Sequence, residues 1–267
     1  MNDCWRHEMI ITTGYRPTTK QEARCIVASK ALHAPVIHRK KQSIPNLMKQ
    51  YATDVLVVSD HHFTYYIKDA QQPLFFHPGS TMFRVKRFLK GGYDPFLEAT
   101  QLQKGMCFLD CTFGMGTDAL LGSYVVGAHG QVTGIEKSEL LSFIVSDGLQ
   151  HFIYDLDSQF EQAMRRIKLC TGDHQELLQK IANETYDVVY FDPMFQNPIE
   201  ASKGIQPLRY ISSYDALTEI SIQEAIRVAK KRVVLKAHYQ SPLFDKFGFQ
   251  VIKRKTAQFH YGVIEKS

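Results

Sequence analysis

From residue 106 onward, short apolar runs alternate with longer stretches whose apolar residues recur at helical spacing. The runs predict strands at Met106 to Asp110, Gln131 to Glu136, Ile167 to Cys170, Tyr186 to Phe191 and Arg232 to Ala237. Phe249 to Lys253 and Gln258 to Val263 read as a closing antiparallel pair. Strands that alternate with helices predict an α/β fold built on a mostly parallel, seven-stranded sheet covered on both faces. In such a sheet, ligands belong at the carboxyl ends of the strands.

The first 75 or so residues follow a different rhythm of short pieces. Ile10 to Thr13 reads as extended, and Thr19-Lys20-Gln21-Glu22 is a capping-box pattern. It opens a helix whose apolar positions are Ala23, Ile26, Val27 and Ala31, with Pro35 as its stop. A strand at Val36-Ile37, a short helix carrying Leu47, Met48 and Tyr51, and strands Val55 to Ser59 and Phe63 to Ile67 complete a small α/β unit. The polar stretch Lys68 to Pro73 marks the boundary, which divides the chain into 1–75 and 76–267. Beyond it, Asp94-Pro95-Phe96 supplies an N-cap and a first-turn proline for a helix ending near Gly105.

With 267 residues, 44% of them hydrophobic and 12% aromatic, the chain can bury a full core. No apolar stretch approaches the length of a membrane span and Met1 to Glu8 is too polar for a secretory signal, so a cytoplasmic protein away from membranes is expected. Five cysteines without CxxC spacing read as reduced, buried hydrophobes. His61 and His62 fall in a turn with no acid or cysteine spaced to join them, so no metal is expected. The net charge of +5 is mild, but its distribution matters. Arg84, Lys86, Arg87 and Lys90 run with Phe83 and Phe88 among them and then meet Gly91-Gly92. His38 to Lys41 and Lys253 to Lys255 are two further basic runs. Such runs serve as solvated faces or as contacts to a polyanion; the interleaved aromatics favour the second for the first run.

Candidate chemistry gathers where the core strands end. Asp110-Cys111-Thr112-Phe113-Gly114-Met115-Gly116 leads from a strand into a helix: Gly114 and Gly116 permit a tight turn, and the helix start offers free N–H groups. Dinucleotide-binding dehydrogenases use a similar turn, and Ala119 fits their third position. Glu136 ends the next strand, 20 residues beyond Gly116, where a carboxylate can grip both hydroxyls of a ribose. Gly172-Asp173 follows the third strand, and Asp173 can accept from an adenine amine. Asp192 follows the fourth. Acids at four successive strand ends favour a cationic ligand, and S-adenosylmethionine carries a sulfonium and an ammonium, whereas acids repel the pyrophosphate of a dinucleotide.

Asp192-Pro193-Met194-Phe195 resembles the [DNS]PP[YF] tetrapeptide of enzymes that methylate nitrogen. An aromatic amine has its lone pair delocalised, so it attacks a methyl donor only when its N–H bonds are engaged. Asp192 can accept one, a backbone carbonyl near Pro193 the other, and Phe195 can stack on the base.

Over about residues 75 to 265 the chain resembles class I S-adenosylmethionine-dependent methyltransferases, and more narrowly the RsmJ-type small-subunit ribosomal RNA guanine-N2 methyltransferases. Their D-A-T-A-G-L-G-R-D-A loop, D-P-M-F-P motif and V-V-V-K strand correspond to Asp110 to Ala119, Asp192 to Gln196 and Val233 to Lys236. The resemblance implies a Rossmann-like fold and cofactor contacts from Thr117, Asp118, Glu136, Lys137, Gly172, Asp173 and Asp192. It also implies RNA, either ribosomal RNA or the small subunit, as partner and a guanine N2 as acceptor. Arg84, Arg87 and Lys90 then become substrate contacts. Lys236 is read two ways, as a donor to a base carbonyl or as a strand-end lysine reaching solvent. Thr117 replaces the family's arginine, Gln196 its proline, and Ala237-His238 its Arg-Pro, departures that bear on the substrate base more than on methyl transfer. The alternatives are a methyltransferase of small molecules or proteins, a non-catalytic binder of the cofactor and, weakest, a nicotinamide dehydrogenase.

Overall fold

The computed structural model describes residues 9–68, 70–153, 158–193 and 217–266. They fall into two compact units: one holds the chain up to His77 together with Phe143–Phe152, the other the rest.

The first unit carries a four-stranded sheet. β1 (Met9–Thr13) pairs in parallel with β2 (Asp54–Val58), followed by antiparallel β3 (Phe63–Tyr66) and β4 (Leu74–Phe75). Where a strand at Val36-Ile37 is expected, the structure has an isolated bridge between Ile11 and Val36. Helix α1 (Thr19–Leu32) is capped one residue earlier than the capping-box pattern suggests, by Thr18, whose hydroxyl accepts from the Gln21 N–H. It ends two residues before Pro35, at the left-handed His33. The face of α1 is a correction too. Ile26 and Val27 are 56% and 60% exposed, while Cys25 and Ala28 are buried. The buried stripe also includes Arg24, which lies 4.4 Å over the Phe63 ring and pairs with Asp147 at 2.9 Å. A partnered arginine can turn inward; apolar spacing alone does not register that. Helix α2 (Ile44–Tyr51) follows with Ser43 as its cap. Residues 143–152 join this unit through Phe143 on Phe63 (4.9 Å between rings) and Phe152 on Phe76 (6.0 Å).

The second unit is built on a seven-stranded sheet. Its strands are β5 (Cys107–Asp110), β6 (Gln131–Glu136), β7 (Lys168–Thr171), β8 (Tyr186–Phe191), β9 (Ala229–His238), β10 (Gln250–Ile252) and β11 (Phe259–Glu265), in the order β10-β11-β9-β8-β5-β6-β7. β9 through β7 run parallel, and β11 and β10 are the antiparallel pair the sequence predicts. Val188 to Phe191 are buried without alternation, as a central parallel strand covered on both faces requires. The strand order reverses between β5 and β8, so a crevice opens at their carboxyl ends, where Asp110 and Asp192 lie.

Helices α3 (Gly79–Leu89), α4 (Pro95–Thr100), α5 (Thr117–Val126), α7 (Ser158–Arg166), α8 (His174–Gln179), α9 (Glu219–Val228) and α10 (Leu243–Lys246) belong to this unit, as does the first turn of α6 (Glu139–His151). The basic segment at 83–90 is therefore helical, which its polar content conceals. Asp94 caps α4 through the Phe96 and Leu97 N–H groups, as expected. That helix stops at Thr100, short of Gly105, because Gln101 turns left-handed and its N–H closes on the Leu97 carbonyl. Phe96 fills the space behind the sheet, 5.2 Å from the Tyr190 ring and 5.7 Å from the Phe108 ring. Cys25, Cys107, Cys111 and Cys170 are free thiols. Among the described residues, no helix is long and apolar enough to cross a membrane.

Candidate active site

The loop after β5 is shaped by one ring. Asp110 ends the strand buried and accepts from the Thr112 N–H at 3.0 Å. Phe113 then dives beneath the loop, its N–H held by the Ile135 carbonyl at 2.9 Å. A Cβ at Gly116 would lie 2.5 Å from this ring and one at Gly134 only 2.0 Å, so both positions are glycine because Phe113 fills their space. Gly116 is also left-handed (φ 72°) and starts α5. The expectation that Gly116 clears room for a ligand is thus corrected. Gly114 (φ 53°) fits it better: nothing lies nearer its missing Cβ than 4.0 Å.

Glu136 ties this loop to β6. Its carboxylate is buried and accepts from the Gly114 N–H at 2.9 Å and the Ser138 N–H at 2.8 Å. At the next strand end, Gly172 donates its N–H to the Glu136 carbonyl, while Asp173 caps α8 and pairs with Lys137 at 2.9 Å. Burial pushes the Glu136 carboxyl up and the Asp110 carboxyl well up from the usual carboxylate range. The rim is therefore less negative than four full charges, since Asp110 leans toward its neutral form.

A second cluster surrounds Asp192. Its backbone N–H donates to Thr112 Oγ1 at 2.6 Å, which locks the end of β8 to the loop after β5. Lys236 Nζ, from β9, lies 2.6 Å from Asp192 Oδ2 and 3.4 Å from Asp118 Oδ2. Asp118 in turn meets Arg84 Nη1 at 2.6 Å and accepts from the Tyr190 hydroxyl at 2.7 Å. Arg84 grips Asp94 with two bonds of 2.9 Å, and Arg87 reaches the same carboxylate at 3.0 Å. Charges of alternating sign thus run from Arg87 on the surface through Asp94, Arg84, Asp118 and Lys236 to Asp192. Burial opposes the Asp118 charge, but Lys236 and Arg84 outweigh it and hold the carboxyl at about 2. Burial raises Asp192, with Asp118 adding to it and Lys236 opposing. Lys236 keeps its proton because Asp118 and Asp192 outweigh the cost of its burial.

These distances revise several expectations. Arg84 is held between two internal carboxylates and is not left for a substrate phosphate. Lys236, its side chain 24% exposed, is the cation between two of the acids. Asp118 faces Arg84, Lys236 and Tyr190, a structural setting that the resemblance did not imply. Thr117 opens α5, where its carbonyl accepts from the Thr81 hydroxyl at 3.1 Å. Arg87 and Lys90 remain on the outside, Arg87 51% exposed at its side chain. Pro193 follows directly; Phe195 and Gln196 lie outside the described residues. Thr112, Tyr190 and Asp94 are site residues that sequence reasoning missed, although a tyrosine inside a run as apolar as Val188-Val189-Tyr190-Phe191 needs a buried partner for its hydroxyl. Among the described residues, no group of three or more His, Cys, Asp or Glu is placed to hold a metal ion.

Residues 39–261 match the family described as "Putative SAM-dependent methyltransferase". The chain belongs to that family. S-adenosylmethionine is accordingly the methyl donor of this methyltransferase, and the parallel sheet with its antiparallel end is the Rossmann-like class I fold. A relative from Bacillus subtilis, "Uncharacterized protein YpiP", is 46% identical over 258 residues, 97% of this chain and all of its own. The methyltransferase is also 29% identical over 162 residues to the ribosomal RNA small subunit methyltransferase J of Hydrogenovibrio crunogenus, and 31% over 157 residues to that of Dechloromonas aromatica. Those matches span 59% and 57% of this chain, and 57% and 61% of the two relatives. A solved SAM-dependent methyltransferase from Neisseria gonorrhoeae shares the fold with a TM-score of 0.61 at 17% identity, covering 96% of this chain and 95% of its own.

The donor set suits this cofactor. A buried carboxylate oriented by two backbone N–H groups, as Glu136 is, can accept further bonds from vicinal hydroxyls, and the acids at neighbouring strand ends complement a sulfonium and an ammonium. On the same rim, Asp192 is anchored at its backbone by Thr112 and at its carboxylate by Lys236.

Proposed function

We propose that this methyltransferase acts on an exocyclic base amine in RNA, with guanine N2 of ribosomal RNA as the acceptor. The observation that carries the reading is the fixed carboxylate of Asp192 at the strand end next to the Gly114 loop. Glu136 would hold the ribose of the donor and Asp173 its adenine amine, with Asp110, Gly114, Gly172 and Lys137 lining the rest of that site. When bound, the donor supplies a methyl group on a sulfonium, already a good leaving group. The protein's own task is positioning: Asp192 accepts one N–H of the acceptor amine, the backbone at Pro193 takes the other, and Phe195 stacks on the base. The nitrogen lone pair is thereby aimed at the methyl carbon. The donor would supply the methyl carbon to this nitrogen and leave as a neutral thioether, and the amine would shed one proton to solvent.

The partial likeness to small-subunit ribosomal RNA methyltransferases supports an RNA acceptor. So does the outer face of α3, where Phe83, Lys86, Arg87 and Lys90 are exposed in one stripe. The basic turn His38 to Lys41 in the first unit is a second candidate contact. A protein of this kind works in the cytoplasm, where ribosomal RNA is made in bacteria.

The test is to incubate the protein with methyl-labelled donor and ribosomal RNA from a strain that lacks it, then map the modified base. Label on a base amine is expected, and none from Asp192→Ala, whose melting temperature should stay within a few degrees of the parent. Label confined to protein or metabolites would refute the RNA acceptor, and undiminished transfer by Asp192→Ala would refute the role of that carboxylate.

A further inference from the structure

We propose that Lys236 is a positioning residue for Asp192: its ammonium, held in place by Asp118, keeps the Asp192 carboxylate ionised and aimed as an acceptor. The inference rests on the role given to Asp192 above and assigns Lys236 a task that makes no contact with substrate.

The argument starts from what surrounds Asp192. Asp110 faces it from β5, Asp118 from α5, Arg84 from α3, Tyr190 from β8, Tyr261 from β11 and Lys236 from β9. Both tyrosines stay neutral, because burial pushes their hydroxyls up, and Asp110 leans the same way. Among the described residues, two cations, Arg84 and Lys236, then balance two anions, Asp118 and Asp192. Arg84 contacts Asp118 at 2.6 Å, so Asp118 stays charged whatever happens on its other side. Among the charged groups of the described residues, Asp192 has its short contact with Lys236 alone, at 2.6 Å. Without the ammonium, two carboxylates would face each other across its place, and the proton would go to Asp192, the one without an arginine. A protonated Asp192 donates a hydrogen bond instead of accepting one, which is the wrong polarity for an amine.

The position of Nζ is itself determined. Lys236 is in register with Tyr261 on β11, and the preceding Leu235 with Phe191 on β8, so the strand that carries it is held on both sides. Asp118, pinned by Arg84 and by the Tyr190 hydroxyl, fixes the far side of the ammonium.

The experiment reads Asp192 directly. In full-length protein with ¹³Cγ-labelled aspartate and saturating S-adenosylmethionine, the Asp192 resonance is assigned by its loss in Asp192→Asn, then titrated in the parent, Lys236→Met and Lys236→Arg. The expected midpoint of Lys236→Met lies about one to three pH units above the parent, and that of Lys236→Arg returns most of the way. Should Lys236→Met not fold, Lys236→Gln removes the charge while keeping a hydrogen-bonding side chain and carries the same comparison. With RNA as acceptor, the acid limb of kcat should move up by the same interval while KM stays nearly constant. An unchanged Asp192 midpoint in a folded, uncharged variant would overturn the proposal, as would a defect confined to KM. The titration needs no acceptor, so it separates this inference from the choice of RNA: a parent enzyme inactive on every RNA would sink that choice and leave the titration result standing.

Discussion

Thr112 Oγ1 accepts the backbone N–H of Asp192 at 2.6 Å, across 80 residues of sequence. This bond joins the loop after β5 to the end of β8, so that loop and the Asp192 carboxylate share one anchor. Thr112→Val keeps the shape and removes the acceptor, leaving a partly buried N–H unpaired at a cost of about 1–3 kcal/mol. The expected result is a roughly tenfold or greater fall in kcat, as a misplaced reacting group predicts, with donor affinity nearly kept. Thr112→Ser should recover most of the rate. Calorimetric donor binding alongside steady-state methyl transfer distinguishes these outcomes, and a kcat equal to the parent's would deny the anchor its importance.

Arg84 bridges Asp94 and Asp118, both buried, and Arg84→Met removes the closest cation from each, leaving Asp94 to Arg87 and Asp118 to Lys236 and the Tyr190 hydroxyl. Breaking such a pair costs about 3–5 kcal/mol, read as a drop in urea midpoint at neutral pH. The acid side gives the sign. Asp118 is held at about 2 against an ordinary 3.8, and Asp94 is lowered in the same direction. A depressed carboxyl contributes stability that is complete above its unfolded value, near pH 4, and is lost as the pH falls through about 2. The gap between parent and Arg84→Met should therefore be widest near neutrality and close as the pH approaches 2. A gap of constant size would mean that packing, and not charge, accounts for the loss.

Glu136 and Asp110 are raised by burial, and a cationic donor would draw their protons off. Binding of S-adenosylmethionine should then release protons and tighten as the pH rises through the range where these carboxyls ionise. Calorimetry in two buffers of different ionisation enthalpy measures the release. Glu136→Gln should weaken the donor by about ten- to a hundredfold, the worth of hydrogen bonds to a charged group, and reduce the proton release. Equal affinity in the variant would remove Glu136 from the site.

The parts of this protein that could be read from sequence are those set by local pattern. β6 and β8 are found at their predicted bounds because apolar runs ending in Glu136 and just before Asp192 leave no other reading. The four acids at successive strand ends follow from the same pattern. What escaped was decided by distant partners. α3 was not predicted because its buried side includes Arg84, acceptable there only through Asp94 and Asp118, the second of them 34 residues away. Apolar spacing alone selects the wrong stripe of α1, because Arg24 is turned inward by Asp147, 123 residues on. The ion pairs of Lys236 are not legible in the sequence, since Asp192 and Asp118 reach it from 44 and 118 residues away. Polar residues that neutralise one another across the fold leave no mark on hydrophobic periodicity.

The outer stripe of α3 separates two kinds of RNA contact. Lys86 and Lys90 are exposed, and neither should affect folding when changed to alanine. Each should weaken RNA uniformly and lower the slope of log K against log salt by about 0.7 for a single strand. Phe83, 76% exposed on the same stripe, carries no charge. If a base stacks on it, Phe83→Ala should cost about 1–3 kcal/mol, some five- to a hundredfold in affinity, with the salt slope unchanged. Binding measured by fluorescence anisotropy at several salt concentrations resolves the two effects. Loss of slope without the aromatic contribution would make the stripe a purely electrostatic contact, and full affinity in all three variants would move the RNA surface away from α3 altogether.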